Sequence, residues 1–179
     1  MTDIGIELGI RAPIEAIERA AQIADDNHVE YFLVPETHPE FFGVNALDTI
    51  LKISEKVKNV KLGTGIINVF SRTQEEILDS ANQIYEKTDG KFVLGIGTSA
   101  PIIIEKLWKM EFKKPLSRLK NYSKFIKTKF KGQIYWAAIG EKTTKLAAEN
   151  ANGVIFFLKP RAQISNHIDL INSVLASLN

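Results

Sequence analysis

The sequence predicts an α/β fold on a parallel sheet, and three observations carry that prediction. Strand-like and helix-like segments alternate along the whole chain, in units of about 30 residues. The strand-like segments are apolar on both faces, as strands buried between helix layers are. No linker, low-complexity stretch or break in composition interrupts the alternation, so residues 1–179 read as a single domain.

The first strand is "DIGIELGI", residues 3–10. Pro13 opens a helix whose apolar face is Ile14, Ile17, Ala21 and Ala24. "EYFLVPE" (30–36) is the second strand, and a loop leads to a helix carrying Leu47, Ile50, Leu51, Ile53 and Val57. "VKLGTGIINVF" (60–70) is the third strand. Ser71 or Thr73 caps the next helix, which has Glu75 and Glu76 in its first turn and Ile77, Ala81 and Ile84 on its apolar face. "KFVLGIG" (91–97) is the fourth strand, and residues 100–131 read as two helices broken at Pro115. "QIYWAAIG" (133–140), a short helix over 141–151, and "GVIFFLK" (153–159) follow. Pro160 starts a last helix with Ile164, Ile168, Ile171 and Leu175.

Composition narrows the function classes. The formal charge of +2 is too small to argue for nucleic acid, and "KTKFKG" at 127–132 reads as a solvated helix end. The absence of Cys excludes disulfides, thiolate metal sites and a Cys nucleophile. No His/Asp/Glu spacing suggests a metal site, and His28 and His167 read as ordinary helix residues. The first residues contain no apolar signal-like block, and no apolar run is long enough to span a membrane. The expectation is a cytoplasmic protein. Abundant Ile, Lys and Glu without Cys point toward a thermophile.

Gly95-Ile96-Gly97-Thr98-Ser99-Ala100 spells G-x-G-x-x-A, the loose dinucleotide fingerprint. That fingerprint belongs after the first strand of its unit, with an acidic residue about 20 residues on at the next strand end. Here it follows the fourth strand, and the corresponding downstream position is Ser117 within a helical stretch. The Rossmann reading is therefore set aside.

"GIELGIRAPIEAIERAAQIADD", "VKLGTGIINVFSRT", "YEKTDGKFVLGIGTSA" and "FKKPLSRLKNY" occur in this order. Together they resemble the bacterial luciferase-like family, in particular its deazaflavin-dependent methylenetetrahydromethanopterin reductases. The matching stretches are Leu62–Arg72, Thr88–Gly97, Lys114–Leu116 and Ala137–Gly140, with Asn152 where the family's A-D-G-V strand has Asp. The resemblance implies a TIM-barrel-like fold. A full barrel has eight βα units in about 250 residues, whereas this sequence supplies about six, so an incomplete barrel is expected. Its first and sixth strands would then be open apolar edges. Dimerisation covering those edges, or the last helix folding across the gap, is expected, with a separate partner chain as a further option.

The resemblance also implies site residues at the strand ends. Glu7 falls where the reductases have an acidic residue near the hydride-transfer centre, and the competing reading pairs it with a Lys inside the barrel. Glu36 and His38 fall near the family's Asp-His pair beside the flavin, with Thr37 at the His position. Gly63, Gly65, Ile66 and Asn68 match the bulge behind the flavin ring, often built with a non-prolyl cis peptide. A plain strand with small packing residues competes. Gly95, Gly97, Thr98 and Ser99 end the fourth strand, and Ala100 replaces an acidic residue that faces the pterin. Gly140 with Thr143 and Thr144 matches the loop that helps to hold the cofactor phosphate at a helix N-terminus.

The implied activity is hydride transfer between F-420 or FMN and a small or pterin-like substrate, without nucleic acid or membrane. The alternative is a non-catalytic flavin binder, or a dimeric structural relative with no cofactor, whose active site is lost with the unmatched strands. Ala100 and the altered "PETH" segment favour the alternative. The third- and fourth-strand glycines oppose it.

Overall fold

The structure is a computed structural model that describes residues 5–8, 12–40 and 43–178. Its strands are β1 (Gly5–Glu7), β2 (Tyr31–Val34), β3 (Lys61–Thr64), β4 (Ile67–Asn68), β5 (Phe92–Gly97), β6 (Gln133–Ala137) and β7 (Gly153–Ile155). All pair in parallel in the order β1-β2-β3-β5-β6-β7, and β4 continues β3 along β5. The sheet is an incomplete barrel. β1 pairs only with β2 and β7 only with β6, which leaves both edges open among the described residues. The rest of the predicted first strand, beyond Leu8, lies outside the described residues.

The helices cover one face. They are α1 (Ile14–Asp26), α2 (Ala46–Ile53), α3 (Gln74–Lys87), α4 (Pro115–Lys127), α5 (Glu141–Asn150) and α6 (Arg161–Leu178). Period-2 alternation sends Phe32, Leu62, Phe92, Leu94, Ile96, Ile134 and Trp136 into the core, where they meet Ile17, Ile50, Ile77, Ala81 and Leu119 from the helices. Tyr31, Leu33, Lys61, Gly63, Val93, Gly95 and Tyr135 therefore face the other, concave side.

Local chemistry sets the element boundaries. Pro13 precedes the first turn of α1, where a missing N–H costs nothing. Thr73 and Glu76 form a capping box on α3, each side chain accepting from the other's backbone N–H. Asp25 accepts from the N–H groups of Lys58, Asn59 and Val60 at 3.0, 2.6 and 2.7 Å, and so pins the entry to β3 onto the end of α1. Trp136 donates from Nε1 to Ser123 Oγ at 3.0 Å, which ties β6 to α4. Asn152 accepts the Ile134 N–H through its side chain at 2.9 Å and donates its own N–H to Ile134 at 2.8 Å.

Three expectations need correction. The first predicted helix in 100–131 is mainly a single π-helical stretch, Ile103–Leu107, and Pro115 begins α4 instead of breaking a longer helix. The last helix does not fold across the gap: α6 packs against α5. Its predicted apolar face has no layer to bury it, so Ile168 and Leu175 stay exposed and His167 is its buried residue. Finally, no described peptide bond is cis. The turn after β3 is instead a bulge of trans peptides.

Candidate active site at the strand ends

The bulge is the centre of the site. Gly63 pairs with Val93, and Ile67 pairs with Ile96. Four steps along one strand therefore face three along the other, the signature of one inserted residue. Thr64 repairs the interrupted ladder with its side chain. Its Oγ1 accepts the Gly95 N–H and donates to the Gly95 carbonyl, both at 2.8 Å. Gly95 must lack a side chain here, because a Cβ would stand 2.3 Å from the Thr64 carbonyl oxygen and 2.8 Å from that of Gly65.

Glu7 meets this bulge. A Cβ on Gly65 would lie 2.9 Å from Glu7 Oε2 and 3.1 Å from Pro35 Cα. Gly65 thus lets the Glu7 carboxyl lie against the strand end. The residue as a whole is exposed on the open edge, yet burial of its carboxyl end pushes the pKa above the ordinary 4.5. No Lys pairs with Glu7 among the described residues. Lys61, on the concave face, pairs with Glu30 at 3.5 Å and donates to the Tyr31 hydroxyl at 3.3 Å.

Glu36 has a different setting from the one its sequence position suggests. Its side chain is 3% exposed and its Oε1 takes both Nε and Nη2 of Arg72 at 2.8 Å. Oε2 accepts the Ala46 N–H at 2.9 Å, the first turn of α2. The Glu36 N–H donates to Ile66 at 3.2 Å. The carboxylate oxygens therefore tie the loop after β2 to Arg72 and to α2, and the backbone N–H ties it to the bulge. Arg118 continues the brace: Nε donates to the Val69 carbonyl at 2.6 Å and Nη2 to Tyr122 Oη at 2.8 Å. The Tyr122 hydroxyl donates to the Arg72 carbonyl at 2.9 Å.

His38 packs edge-on against Trp108 with ring centroids 4.6 Å apart, joining the loops after β2 and β5. Sequence reasoning missed Trp108, which no motif marks. Asn68 is buried, and its Oδ1 accepts from the N–H groups of Phe70 and Ser71 at 3.1 and 2.9 Å, shaping the turn toward α3. A Cβ on Gly97 would touch Ala137 at 3.0 Å and Ile66 at 3.5 Å. Thr98 donates to the Ser99 carbonyl at 3.3 Å, and Ser99 holds a left-handed φ of 57°. Gly140 is the N-cap of α5, and a Cβ there would meet nothing within 4 Å. Thr143 is half-buried one turn in.

Glu7, Gly63, Gly65, Ile66, Gly95 and Gly97 thus converge on the ends of β1, β3 and β5. Gly140 and Thr143 stand apart, at the end of β6. Among the described residues no cluster of His, Asp and Glu is arranged to hold a metal ion, and no helix is long and apolar enough to cross a membrane.

A parallel, helix-covered sheet with glycine-lined strand ends on one side has the layout of a (β/α) barrel, here incomplete. The family assignment follows from sequence: the luciferase-like monooxygenase family matches residues 2–133, and the chain belongs to that family. It is 26% identical over 175 residues to a 5,10-methylenetetrahydromethanopterin reductase of Archaeoglobus fulgidus, covering 84% of this chain and 52% of that protein. A putative coenzyme F-420-dependent oxidoreductase of Mycobacterium tuberculosis is 29% identical over 83 residues, 46% of this chain and 24% of its own length. The chain spans about half the length, or less, of these relatives. The fold matches the F-420-dependent tetrahydromethanopterin reductase of Methanopyrus kandleri with a TM-score of 0.87 at 17% identity, over 98% of this chain and 61% of that one. It matches an F-420-dependent secondary alcohol dehydrogenase, solved with an F-420–acetone adduct, at 0.85 and 13% identity, over 98% and 64%.

Proposed function

We propose that this chain forms the cofactor-binding part of an oxidoreductase that uses F-420 or FMN to act on a small molecule. The observation that carries the reading is the Glu7 carboxyl lying on Gly65 beside the bulge, with its proton affinity raised by burial. Gly63, Gly65, Gly95 and Gly97 let the strand ends pack closely, since a Cβ at each would meet Val93, Glu7, the Thr64 carbonyl or Ala137, while the space around Gly140 is open at a helix N-terminus suited to phosphate.

When bound, a flavin or deazaflavin supplies the hydride-transfer chemistry. The chain's own residues then divide the work. Glu7 holds or delivers the proton that accompanies transfer. The backbone of Gly65-Ile66 would hold the ring, with Asn68, Gly97 and Thr98 setting the adjoining turns. Gly140 and Thr143 would hold the phosphate. Glu36 and His38 act as positioning residues, because both oxygens of Glu36 are engaged and His38 braces Trp108. Ala100 leaves no carboxylate at the position that follows the fourth-strand glycines, which argues for a substrate other than the pterin.

The second reading is a non-catalytic relative that assembles as a homodimer. It is favoured by the open edges and by apolar side chains near them: Ile139 is 73% exposed and Leu158 85%. A second copy covering those edges would remove this surface from water. Fluorescence titration of the purified chain with FMN and with F-420, alongside light scattering, tests both. Binding of either coenzyme supports the oxidoreductase. A folded dimer that binds neither supports the structural relative.

A further inference from the structure

Three side chains from different elements close a ring of hydrogen bonds around the turn after β6. Lys159 Nζ donates to the Ile139 carbonyl at 2.6 Å and lies 2.8 Å from His167 Nε2. His167 Nδ1 lies 2.8 Å from Thr144 Oγ1, which lies 3.1 Å from the Gly140 carbonyl oxygen. The donors and acceptors permit one assignment. An ammonium group has no acceptor, so Nε2 must accept from Lys159 and the ring proton sits on Nδ1. His167 Nδ1–H then donates to Thr144, whose hydroxyl donates to Gly140. Two consecutive carbonyls, Ile139 and Gly140, are thereby tethered to α6 through a neutral histidine that is 7% exposed.

The ring has neighbours that bear on what it does. The half-buried Phe156 ring packs on His167 with centroids 5.2 Å apart. Glu141, Gln163, Asn166 and His167 line a cavity of about 210 Å³ between the N-terminus of α5 and α6. The carbonyls of 139 and 140 are held by Lys159 and Thr144, Gly140 caps α5 without a side-chain hydrogen bond, and the space beside it is open, so the N–H groups of the first turn of α5, which have no intrahelical acceptor, face that side.

We infer that His167 and Lys159 are positioning residues that hold the Gly140 turn in the shape that receives a phosphate group. This rests on the flavin-type cofactor reading above. His167 and Lys159 act on the turn and do not touch the ligand's ring system.

The test compares FMN with riboflavin, which lacks only the phosphate, by fluorescence titration of the full chain and of three variants. His167→Gln keeps an acceptor and a donor on one amide. Lys159→Met and His167→Phe remove the ring. Thermal unfolding accompanies each variant, and Lys159→Met, at a half-buried position, keeps the test open if His167→Phe does not fold. The expected result is that the wild type binds FMN at least ~10-fold more tightly than riboflavin, a difference of about 1.4 kcal/mol. Lys159→Met and His167→Phe should lose most of that preference with riboflavin affinity unchanged, and His167→Gln should restore part of it. If Lys159→Met is folded and keeps the full preference, the positioning role is overturned while the cofactor reading stands. A wild type that binds riboflavin as well as FMN overturns the role of the turn itself. A wild type that binds no flavin and no F-420 overturns the cofactor reading and this inference with it.

Discussion

Thr64 Oγ1 bonds both the N–H and the carbonyl of Gly95 at 2.8 Å, so one side chain replaces two backbone ladder contacts at the bulge. Gly95 is buried, so both groups depend on the Thr64 hydroxyl on the β3 side. Thr64→Val keeps the volume and strands both. Its expected cost is about 2–4 kcal/mol, because each orphaned polar group costs ~1–3 kcal/mol. Thr64→Ser should cost about 1 kcal/mol, the loss of a buried methyl. Urea unfolding of both variants checks this, and equal midpoints for Val and Ser would remove the hydroxyl from the account.

The glycines differ in what they exclude. Gly95→Ala should destabilise by roughly 3 kcal/mol or more, since overpacking against backbone forces the strands apart. Gly140→Ala should stay within about 0.5 kcal/mol of wild type, because its Cβ enters open space at an ordinary φ of −106°. Denaturant midpoints for the pair decide whether the glycines act by close approach.

Asp25 predicts an acid-sensitive link between α1 and β3. Burial raises its carboxyl pKa, but the N–H donors of Val60, Lys58 and Asn59 outweigh it, and the net value falls below the ordinary 3.8. An acid with a depressed folded pKa contributes stability above its unfolded pKa and loses it as pH falls through the folded value. Asp25→Asn should therefore cost about 2 kcal/mol at pH 7, where charge-assisted bonds are lost. The gap should narrow below about pH 4. A gap that does not change between pH 7 and pH 3 would count against the carboxylate's role.

Glu7 has the opposite sign. Its folded pKa is raised, so the folded state holds the proton more tightly and ionisation works against folding as pH rises from the unfolded value of 4.5 through the raised one. Glu7→Gln should leave the fold as stable as wild type at pH 7, or more so. It should retain cofactor binding and abolish turnover. Melting curves and turnover with a bound coenzyme separate these effects, and undiminished turnover would take Glu7 out of the mechanism.

Glu36 and Arg72 form a pair, with the carboxylate buried and the Arg72 side chain half-buried, whose halves depend on each other. Arg72→Met leaves an unpaired carboxylate beneath the loop and should cost about 3 kcal/mol. The double variant Glu36→Gln, Arg72→Met should recover part of that loss. A purely additive cycle in chemical denaturation would contradict the coupling.

Much of the architecture was legible from patterning. Apolar strands of both-face character, Pro13, Thr73 with Glu76, and Pro160 placed the units near their observed positions because each signal acts within a few residues of its element. The bulge was legible as a glycine pattern, Gly63 and Gly65, but how it is built was not. It depends on Thr64 reaching Gly95, 31 residues away, a contact that no local spacing encodes. Glu36 shows the same limit. Its strand-end position suggested chemistry, and only its meeting with Arg72 and the Ala46 N–H revealed a structural brace. His167 read as an ordinary helical residue, since nothing in α6 marks the side chains of Thr144 and Lys159 that enclose it.

By itself the sequence determined the class of fold, the order of the units and the family, and it nominated strand-end residues for a site. Those properties follow from periodicity, caps and short motifs, in which each residue reports on its near neighbours. The tertiary structure alone decided which candidates face one another: Glu7 on Gly65, Glu36 on Arg72, and Lys159 through His167 to the Gly140 turn. Those relationships depend on parallel strands and covering helices bringing distant segments within hydrogen-bond reach, where burial and partner geometry set what each group can do.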